Sequence, residues 1–224
     1  MDRKKCSFLL PLLMGAGFFL LFLLLILLLR TVDVAAIGPA ETSVGLAHLN
    51  GAFRDWVGFC STWYQISKWL GLLAVAVVAG AALLGLWQWI RRKKIGKVDR
   101  LLFALGALYL AVGACYLLFG LVVVNCRPVL LPDELVPEAS FPSSHTLLAC
   151  TVFGSAFWLI AKYLRSGWKI AAWCACGALL AATVLSRLLS GVHWLTDILG
   201  GLLLSAALLC FFVVLKNKAE AKRE

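Results

Sequence analysis

The stretch FPSSHT, residues 141–146, stands where an acidic, proline-containing loop gives way to a long apolar run. Serines that follow a proline are typical of a helix start, where a hydroxyl caps the first turn. The free backbone N–H groups of such a start, beside small hydroxyl side chains, also form a binding site for anions. Histidine exchanges a proton near neutral pH, so His145 adds acid–base chemistry to either arrangement. The stretch by itself fits a plain helix cap or a functional anion site.

The apolar runs on both sides of this stretch place the chain in a membrane. Of its 224 residues, 62% are hydrophobic and 14% are charged, against about 45–50% and about 25% in soluble domains. A helix that crosses a bilayer needs about 20 mostly apolar residues. The segments that satisfy this requirement are 7–29, 67–90, 101–124, 146–164, 170–186 and 195–215. We therefore predict an all-α polytopic membrane bundle of six transmembrane helices, forming one domain over residues 1–224.

The net charge of +10 is distributed in a way that predicts orientation. Basic clusters flank alternate ends of the predicted spans, at Arg3–Lys5, Arg91–Arg100, Lys162–Lys169 and Lys216–Arg223. Because loops rich in lysine and arginine stay in the cytoplasm, both termini are expected to be cytoplasmic. Segments 30–66, 125–145 and 187–194 are then expected to face outward. Nucleic-acid binding, another interpretation of a basic chain, does not explain this alternation, so no nucleic acid partner is expected.

The outer segment 31–66 predicts structure rather than chemistry. The stretch 44–56 is mildly amphipathic and predicts a short interfacial helix, in which His48 is expected to be a surface residue. The first span resembles a secretory signal, but its apolar run is long for one, and we expect it to be retained. The cysteines lack zinc-like spacing, so no metal site is predicted. A disulfide between Cys60 and Cys126 is an open alternative.

Polar residues also interrupt the ends of later spans. Arg127 ends the third span just before a proline, where it fits an interface anchor. Asp197 lies within the apolar pattern of the sixth span, where a carboxylate costs about 2.5–3.5 kcal/mol on insertion scales. His193, four residues earlier, shares its helix face and is its nearest partner. Taken alone, the two form either a catalytic pair or a hydrogen-bonded pair that holds two helices together.

The predicted topology brings these segments to one face. Between His145 and Arg187 the chain crosses the membrane twice, so both residues lie at the outer surface. Arg127 ends its span on that surface, and His193 and Asp197 begin theirs there. Their content of arginine, histidine, aspartate and nearby serine favours an anion site with a histidine–acid pair over three unrelated structural features.

These segments resemble the three signatures of the type 2 phosphatidic acid phosphatase (PAP2) superfamily. Ser186-Arg187, five residues, His193, three residues and Asp197 match SRx5Hx3D, Pro142-Ser143-Ser144-His145 resembles PSGH, and Arg127-Pro128 resembles the end of Kx6RP. The resemblance covers residues 120–200 and the six-span pattern. Two positions depart from it: the first-signature lysine falls at Gly120, and the PSGH glycine is Ser144. Lys68, near the outer end of the second span, is a candidate substitute for that lysine.

The resemblance implies a PAP2-like core and roles for the matched residues. His193 would attack phosphorus and form a phosphohistidine, while Asp197 would orient and stabilise its ring. His145 would protonate the leaving group. The phosphate-binding residues would be Arg127, Arg187, Ser143 and Ser144. Because the arginines supply positive charge to the phosphoryl group, no metal ion or other cofactor is expected.

The implied activity is that of a metal-independent lipid phosphatase of the cell membrane, acting at the extracytoplasmic face. A surface site that is reached between helices suits a lipid phosphate or diphosphate, and polyprenyl diphosphate, phosphatidate and phosphatidylglycerophosphate all fit. Membrane lipids are the other expected partners. The alternatives are a lipid phosphotransferase that uses the same phosphohistidine, and a non-catalytic lipid-binding or scrambling protein, which the missing lysine at position 120 favours. The sequence carries no signal for the oligomeric state.

Overall fold

The computed structural model describes residues 3–131 and 135–221, with side chains from residue 7 onward. The described residues form α-helices and no β-strand. The helices are α1 (Arg3–Thr31), α2 (Ala47–Val57), α3 (Ser61–Arg92), α4 (Arg100–Leu121), α5 (Ser144–Tyr163), α6 (Ser166–Leu189) and α7 (Leu195–Ala221). All except α2 are long and apolar enough to cross a membrane. The predicted all-α bundle of six spans is therefore confirmed, and the basic side chains at 3–5 and 222–223 lie outside the described part.

The six long helices pack around α5 and α7, whose faces are the most buried. Small residues allow these helices to approach closely, as in membrane bundles generally. A Cβ built on Gly154 of α5 would lie 2.8 Å from Leu209 of α7, and one on Gly15 of α1 would lie 2.8 Å from the Phe211 ring. Helix α1 thus packs along α7 as an integral part of the bundle.

A pair of glycines brings the start of α5 against the first turns of α7. A Cβ built on Gly200 would lie 2.4 Å from the Phe141 ring, and one on Gly201 would lie 3.0 Å from the Ser143 carbonyl oxygen. The Ser143 N–H donates to the Asp197 carbonyl oxygen at 2.9 Å. The stretch 141–146 is therefore fixed by backbone contact to the helix that carries Asp197.

A polar cluster ties α3, α4 and α5 together at the opposite end of the bundle. Asp99, just before α4, accepts hydrogen bonds from Tyr163 and, at 3.1 Å, from the buried Gln88 amide. Lys162 and Arg92 lie 3.2 Å and 3.5 Å from its carboxylate oxygens. Burial raises the pKa of Asp99, but the hydrogen bonds from Tyr163, Gln88 and Lys162 outweigh it and lower the pKa to about 2.

Segment 31–66 contains the short helix that the sequence predicts, present as α2. His48 lies on its exposed face and pairs with Asp33 at 2.7 Å, with 95% of its side chain accessible. His48 is thus the surface residue that the sequence indicates. Cys60 and Cys126 are both free, so the alternative of a disulfide between them is not realised.

Candidate active site

The candidate site lies at the end of the bundle where α3 begins and α6 ends. Its centre is Arg187 in the last turn of α6, which is 1% exposed. Its Nη2 lies 3.0 Å from His145 Nδ1 and 3.1 Å from His193 Nε2, and its Nη1 donates to Ser67 Oγ at 3.0 Å. A buried guanidinium is costly unless it is hydrogen-bonded. The polar ends of α3, α5 and α6 therefore converge on one arginine.

The contacts with Arg187 determine the state of the two histidine rings. A guanidinium only donates hydrogen bonds, so the nitrogens that face it, His145 Nδ1 and His193 Nε2, must be acceptors. In a neutral ring the proton then resides on the other nitrogen, Nε2 of His145 and Nδ1 of His193. Burial lowers the pKa of His193 well below its ordinary value, and the charges of Arg187 and Arg127 lower it further. The His193 ring is thus neutral, with a lone pair on Nε2.

Asp197 holds the far side of the His193 ring. Its Oδ2 lies 3.4 Å from His193 Nδ1 and accepts the Trp194 N–H at 3.0 Å. Both the aspartate and the histidine are buried. The carboxylate is the acceptor that the Nδ1–H tautomer requires, so these contacts fix the ring with Nε2 directed at Arg187.

The loop before α7 requires glycine at position 191. Gly191 has φ +66°, and a Cβ there would lie 1.9 Å from the Gly58 carbonyl oxygen. Its neighbour Ser190 accepts the Cys60 N–H at 3.1 Å. Only glycine fits this left-handed conformation and close contact, and the resulting turn carries the chain from Arg187 to His193.

Helix α2 reaches the start of α7 through one buried side chain. Asn50 is fully buried, and its Oδ1 accepts the Thr196 backbone N–H at 3.3 Å. Its Nδ2 donates to Thr196 Oγ1 at 3.0 Å and to the Gly45 carbonyl oxygen at 2.8 Å. Asn50 of α2 therefore fixes Thr196, the residue next to Asp197.

The two serines predicted to bind phosphate occupy different environments. Ser144 lines the cavity beside His145. Ser143 is fully buried, and its hydroxyl accepts a hydrogen bond from Thr146 at 3.1 Å. Ser143 therefore packs between α5 and α7, whereas Ser144 faces the space that a ligand would occupy.

Arg127 lines the same cavity as His145 and His193. Its Nη2 is 2.9 Å from Glu138 Oε2, and its backbone N–H donates to the Glu138 carbonyl oxygen at 2.9 Å. Glu138 is half exposed, so this ion pair is partly open to water and exchangeable.

Helix α3 contributes residues to the site that the signatures do not contain. Ser67 bonds Arg187, and the Tyr64 ring lies 5.8 Å from the Arg187 guanidinium carbon. A Cβ built on Gly71 would lie 2.7 Å from His145 Cδ2. Tyrosine, serine and glycine are common in membrane helices, and only their spacing of three and four residues indicates a common face. Of this face, the sequence indicated only Lys68.

Three cavities lead from the site along the apolar surface. The first, of about 680 Å³, is lined by Arg127, Ser144, His145 and His193 among others. The second, of about 380 Å³, shares Ser144 and His145 with it and is otherwise mainly apolar. A third, of about 510 Å³, adjoins the second through Val78 and Tyr109 and continues between α3 and α4 to Trp89 and Ile95. In the described part of the chain no three His, Cys, Asp or Glu residues lie close enough to hold a metal ion.

The six apolar helices and the buried arginine–histidine cluster define a multi-pass helical membrane protein with a polar site at one end of the bundle. The profile of the PAP2 superfamily matches residues 100–221, which is more than half of the chain. The chain belongs to the PAP2 superfamily.

Similar proteins within this superfamily are known from Bacillus subtilis. Phosphatidylglycerophosphatase B of strain 168 is 32% identical over 103 residues, which are 45% of this chain and 50% of that protein. The chain thus matches about half the length of this curated relative. A crystal structure of a transmembrane PAP2 type phosphatidylglycerolphosphate phosphatase superposes with a TM-score of 0.61 at 23% identity, covering 94% of this chain and 96% of that one. At this identity the superposition shows a common fold.

Proposed function

We propose that this protein is an integral-membrane phosphatase that hydrolyses a lipid phosphate or diphosphate through a phosphohistidine. The observation that carries the proposal is the Arg187 guanidinium, which lies within 3.1 Å of both histidines beside an open cavity. Both rings present acceptor nitrogens to it. A phosphate oxygen is a stronger, charged acceptor, so a bound phosphoryl group takes over these donors and releases the two rings for chemistry.

In the first step, the His193 Nε2 lone pair attacks phosphorus and the bond to the leaving oxygen breaks. The ring becomes cationic, and Asp197, on the Nδ1 side, stabilises this charge. Once the phosphate takes the Arg187 donors, His145 Nδ1 binds a proton from solvent. The resulting imidazolium gives its Nε2 proton to the leaving oxygen and becomes neutral again. This edge of the ring packs against α3 at Gly71, where a Cβ would lie 2.7 Å from Cδ2.

In the second step, water attacks the phosphohistidine and His145 removes its proton. The P–N bond breaks, and the electron pair returns to His193 Nε2. Arg187, Arg127 and Ser144 bind the phosphoryl oxygens throughout and stabilise their developing charge. Because these cations supply the charge that a metal ion would supply, the reaction is proposed to need no metal. Ser143 is proposed to act by holding the start of α5.

The cavities support a lipid as the substrate. The polar cavity adjoins, at Ser144 and His145, an apolar space between α3, α4 and α5, where a hydrocarbon tail would leave the bilayer at no hydrophobic cost. The candidate substrates remain phosphatidate, polyprenyl diphosphate and phosphatidylglycerophosphate. The last is the substrate that both Bacillus subtilis names indicate for what they describe. The third cavity extends this apolar path from Val78 to Trp89 of α3, about 16 Å along the helix, which favours a long tail.

The whole chain is proposed to act as one domain in the cell membrane, with both termini cytoplasmic and the site at the extracytoplasmic face. The basic residues at the C-terminal end of α3 and in the α5–α6 connection support this orientation. They lie at the end of the bundle opposite to the site.

The proposal is tested by phosphate release from purified protein in lipid vesicles, using a panel of lipid phosphates in excess EDTA. We expect wild-type activity with at least one substrate, and activity that chelation does not change. His193→Ala should lose at least about 10³-fold, while His48→Ala, on the exposed face of α2, should retain full activity. A phosphotransferase would instead pass phosphate to added diacylglycerol. No turnover of any substrate would favour a non-catalytic lipid-binding protein, and a fully active His193→Ala variant would refute the mechanism.

A further inference from the structure

One face of α3 forms a wall of the site. Tyr64, Ser67, Lys68 and Gly71 recur at spacings of three and four residues and therefore share a helix face. Tyr64 underlies Arg187, Ser67 bonds it, and Gly71 leaves room for the His145 ring. Three of the four residues thus have a contact in the site, and only the fourth, Lys68, has no assigned part in it.

Lys68 lies within the same electrostatic cluster. Its ammonium is 5.4 Å from the centroid of the Tyr64 ring, the ring that also faces the Arg187 guanidinium. It is close enough to His145 to interact with it electrostatically. Its side chain is exposed, and no described carboxylate forms an ion pair with it. A cation–π contact at an exposed position contributes only about 0.5–1 kcal/mol, so the ammonium can leave the ring readily.

Position 120 leaves space where the PAP2 signature has a cation. Gly120, near the end of α4, lines the same cavity as Arg127 and His193. A Cβ built there has no heavy atom within 4 Å. No side chain from the position itself therefore fills the region of the cavity into which the signature lysine would extend.

We propose that Lys68 supplies, from α3, the phosphate-binding cation that the superfamily signature places at position 120. This inference rests on the proposed phosphatase function. Lysine suits the substitution because its ammonium is a compact charge on a flexible four-carbon stem, which can reach a phosphate oxygen from a different helix. On binding, the ammonium leaves the Tyr64 ring and contacts the phosphoryl group that Arg187 and Arg127 also hold.

The test is a rescue experiment with Lys68→Met and the double variant Lys68→Met/Gly120→Lys. Loss of one charge-assisted contact predicts that kcat/KM of Lys68→Met falls about 10- to 100-fold, and that inorganic phosphate inhibits it more weakly. Adding Gly120→Lys should restore most of the lost kcat/KM, because position 120 lines the cavity of Arg127 and His193. Lys94→Met, an exposed lysine at the other end of the bundle, is the matched control and should leave kcat/KM unchanged.

The outcomes separate this inference from a structural role of Lys68 and from failure of the proposed function. If Lys68 only anchors α3 at the membrane surface, Lys68→Met lowers the thermal midpoint, leaves phosphate inhibition unchanged and is not rescued by Gly120→Lys, which overturns the inference. Unchanged kcat/KM in Lys68→Met overturns it as well. A wild-type protein that releases no phosphate refutes the proposed function itself, whatever the variants do.

Discussion

The two ends of the bundle carry buried polar clusters of opposite character. At the α3–α4 end, Asp99 is a single carboxylate surrounded by donors and cations, and its pKa is lowered to about 2. At the other end, Arg187 is a buried cation shared between two neutral histidines, and its Nε has no hydrogen-bond partner among the described residues. In the first cluster the negative charge of Asp99 is paired with the cations and donors around it. The second has donors in excess, as a site for an anion requires.

The largest expected effect comes from replacing the shared cation. Arg187→Lys keeps the charge but loses the planar fork, so one ammonium cannot serve both histidines and Ser67 at once. We expect kcat to fall by at least about 10²–10³-fold, with little change in the thermal midpoint. Lipid phosphate hydrolysis and a thermal melt of the same preparation measure the two quantities. Activity within a few-fold of wild type would show that the fork is not needed.

A smaller effect is expected from filling the space beside His145. Gly71→Ala would place a Cβ 2.7 Å from the His145 ring, and overpacking of this kind costs about 1–3 kcal/mol. Displacement of the ring should lower kcat about tenfold or more. Gly80→Ala on the same helix, where nothing lies within 4 Å, is the matched control. Equal activity of the two variants would mean that His145 needs no fixed position.

At the opposite end we expect loss of stability without loss of chemistry. The pKa of Asp99 is lowered in the folded protein. The ionised carboxylate therefore stabilises the fold at any pH above its ordinary pKa, and this stabilisation is lost as pH falls from about 4 to 2. Asp99→Asn should therefore lower the thermal midpoint at pH 7, and the difference from wild type should shrink toward pH 2. Specific activity of the folded variant should match wild type. A large loss of kcat in Asp99→Asn would contradict this expectation and show that the Asp99 cluster contributes to catalysis.

The smallest expected effect concerns the protonation of His193, which should not change over the pH range of the assay. Since burial and the arginine charges hold the pKa of His193 well below its ordinary value, its ring should stay neutral from pH 8 down to pH 5.5. NMR of protein labelled with ¹⁵N-histidine can follow this, because the chain has only three histidines and His193→Ala assigns one. A His193 titration with a midpoint near 6.5 would show that the site does not suppress protonation.

The sequence predicted the six spans and the convergence of Arg127, His145, Arg187 and His193, because hydropathy and motif spacing record these directly. It did not predict the part that α3 has in the site. The packing of α3 beside α5 and α6 depends on small residues such as Gly71. Glycine is common in membrane-spanning helices, so its presence in the sequence does not indicate which helices pack together.

The different environments of Ser143 and Ser144 were also beyond the sequence. Both follow the same proline, and the motif alone gives them similar roles. The close approach of α5 to Gly200 and Gly201 turns Ser143 inward. The sequence also did not indicate the cluster around Asp99, because Tyr163 reaches it from a helix 64 residues away.

The contact between Asn50 and Thr196 connects segment 32–57 to the helix that carries Asp197. Helix α7 receives its N-terminal hydrogen-bond acceptor from a residue 146 positions earlier in the chain, instead of from its own preceding loop as most helices do. The first turn of α7, which carries the Asp197 carboxylate, is therefore held by a contact with segment 32–57. Shortening or displacing that segment would misalign the histidine–acid pair while leaving every residue of the three signatures in place.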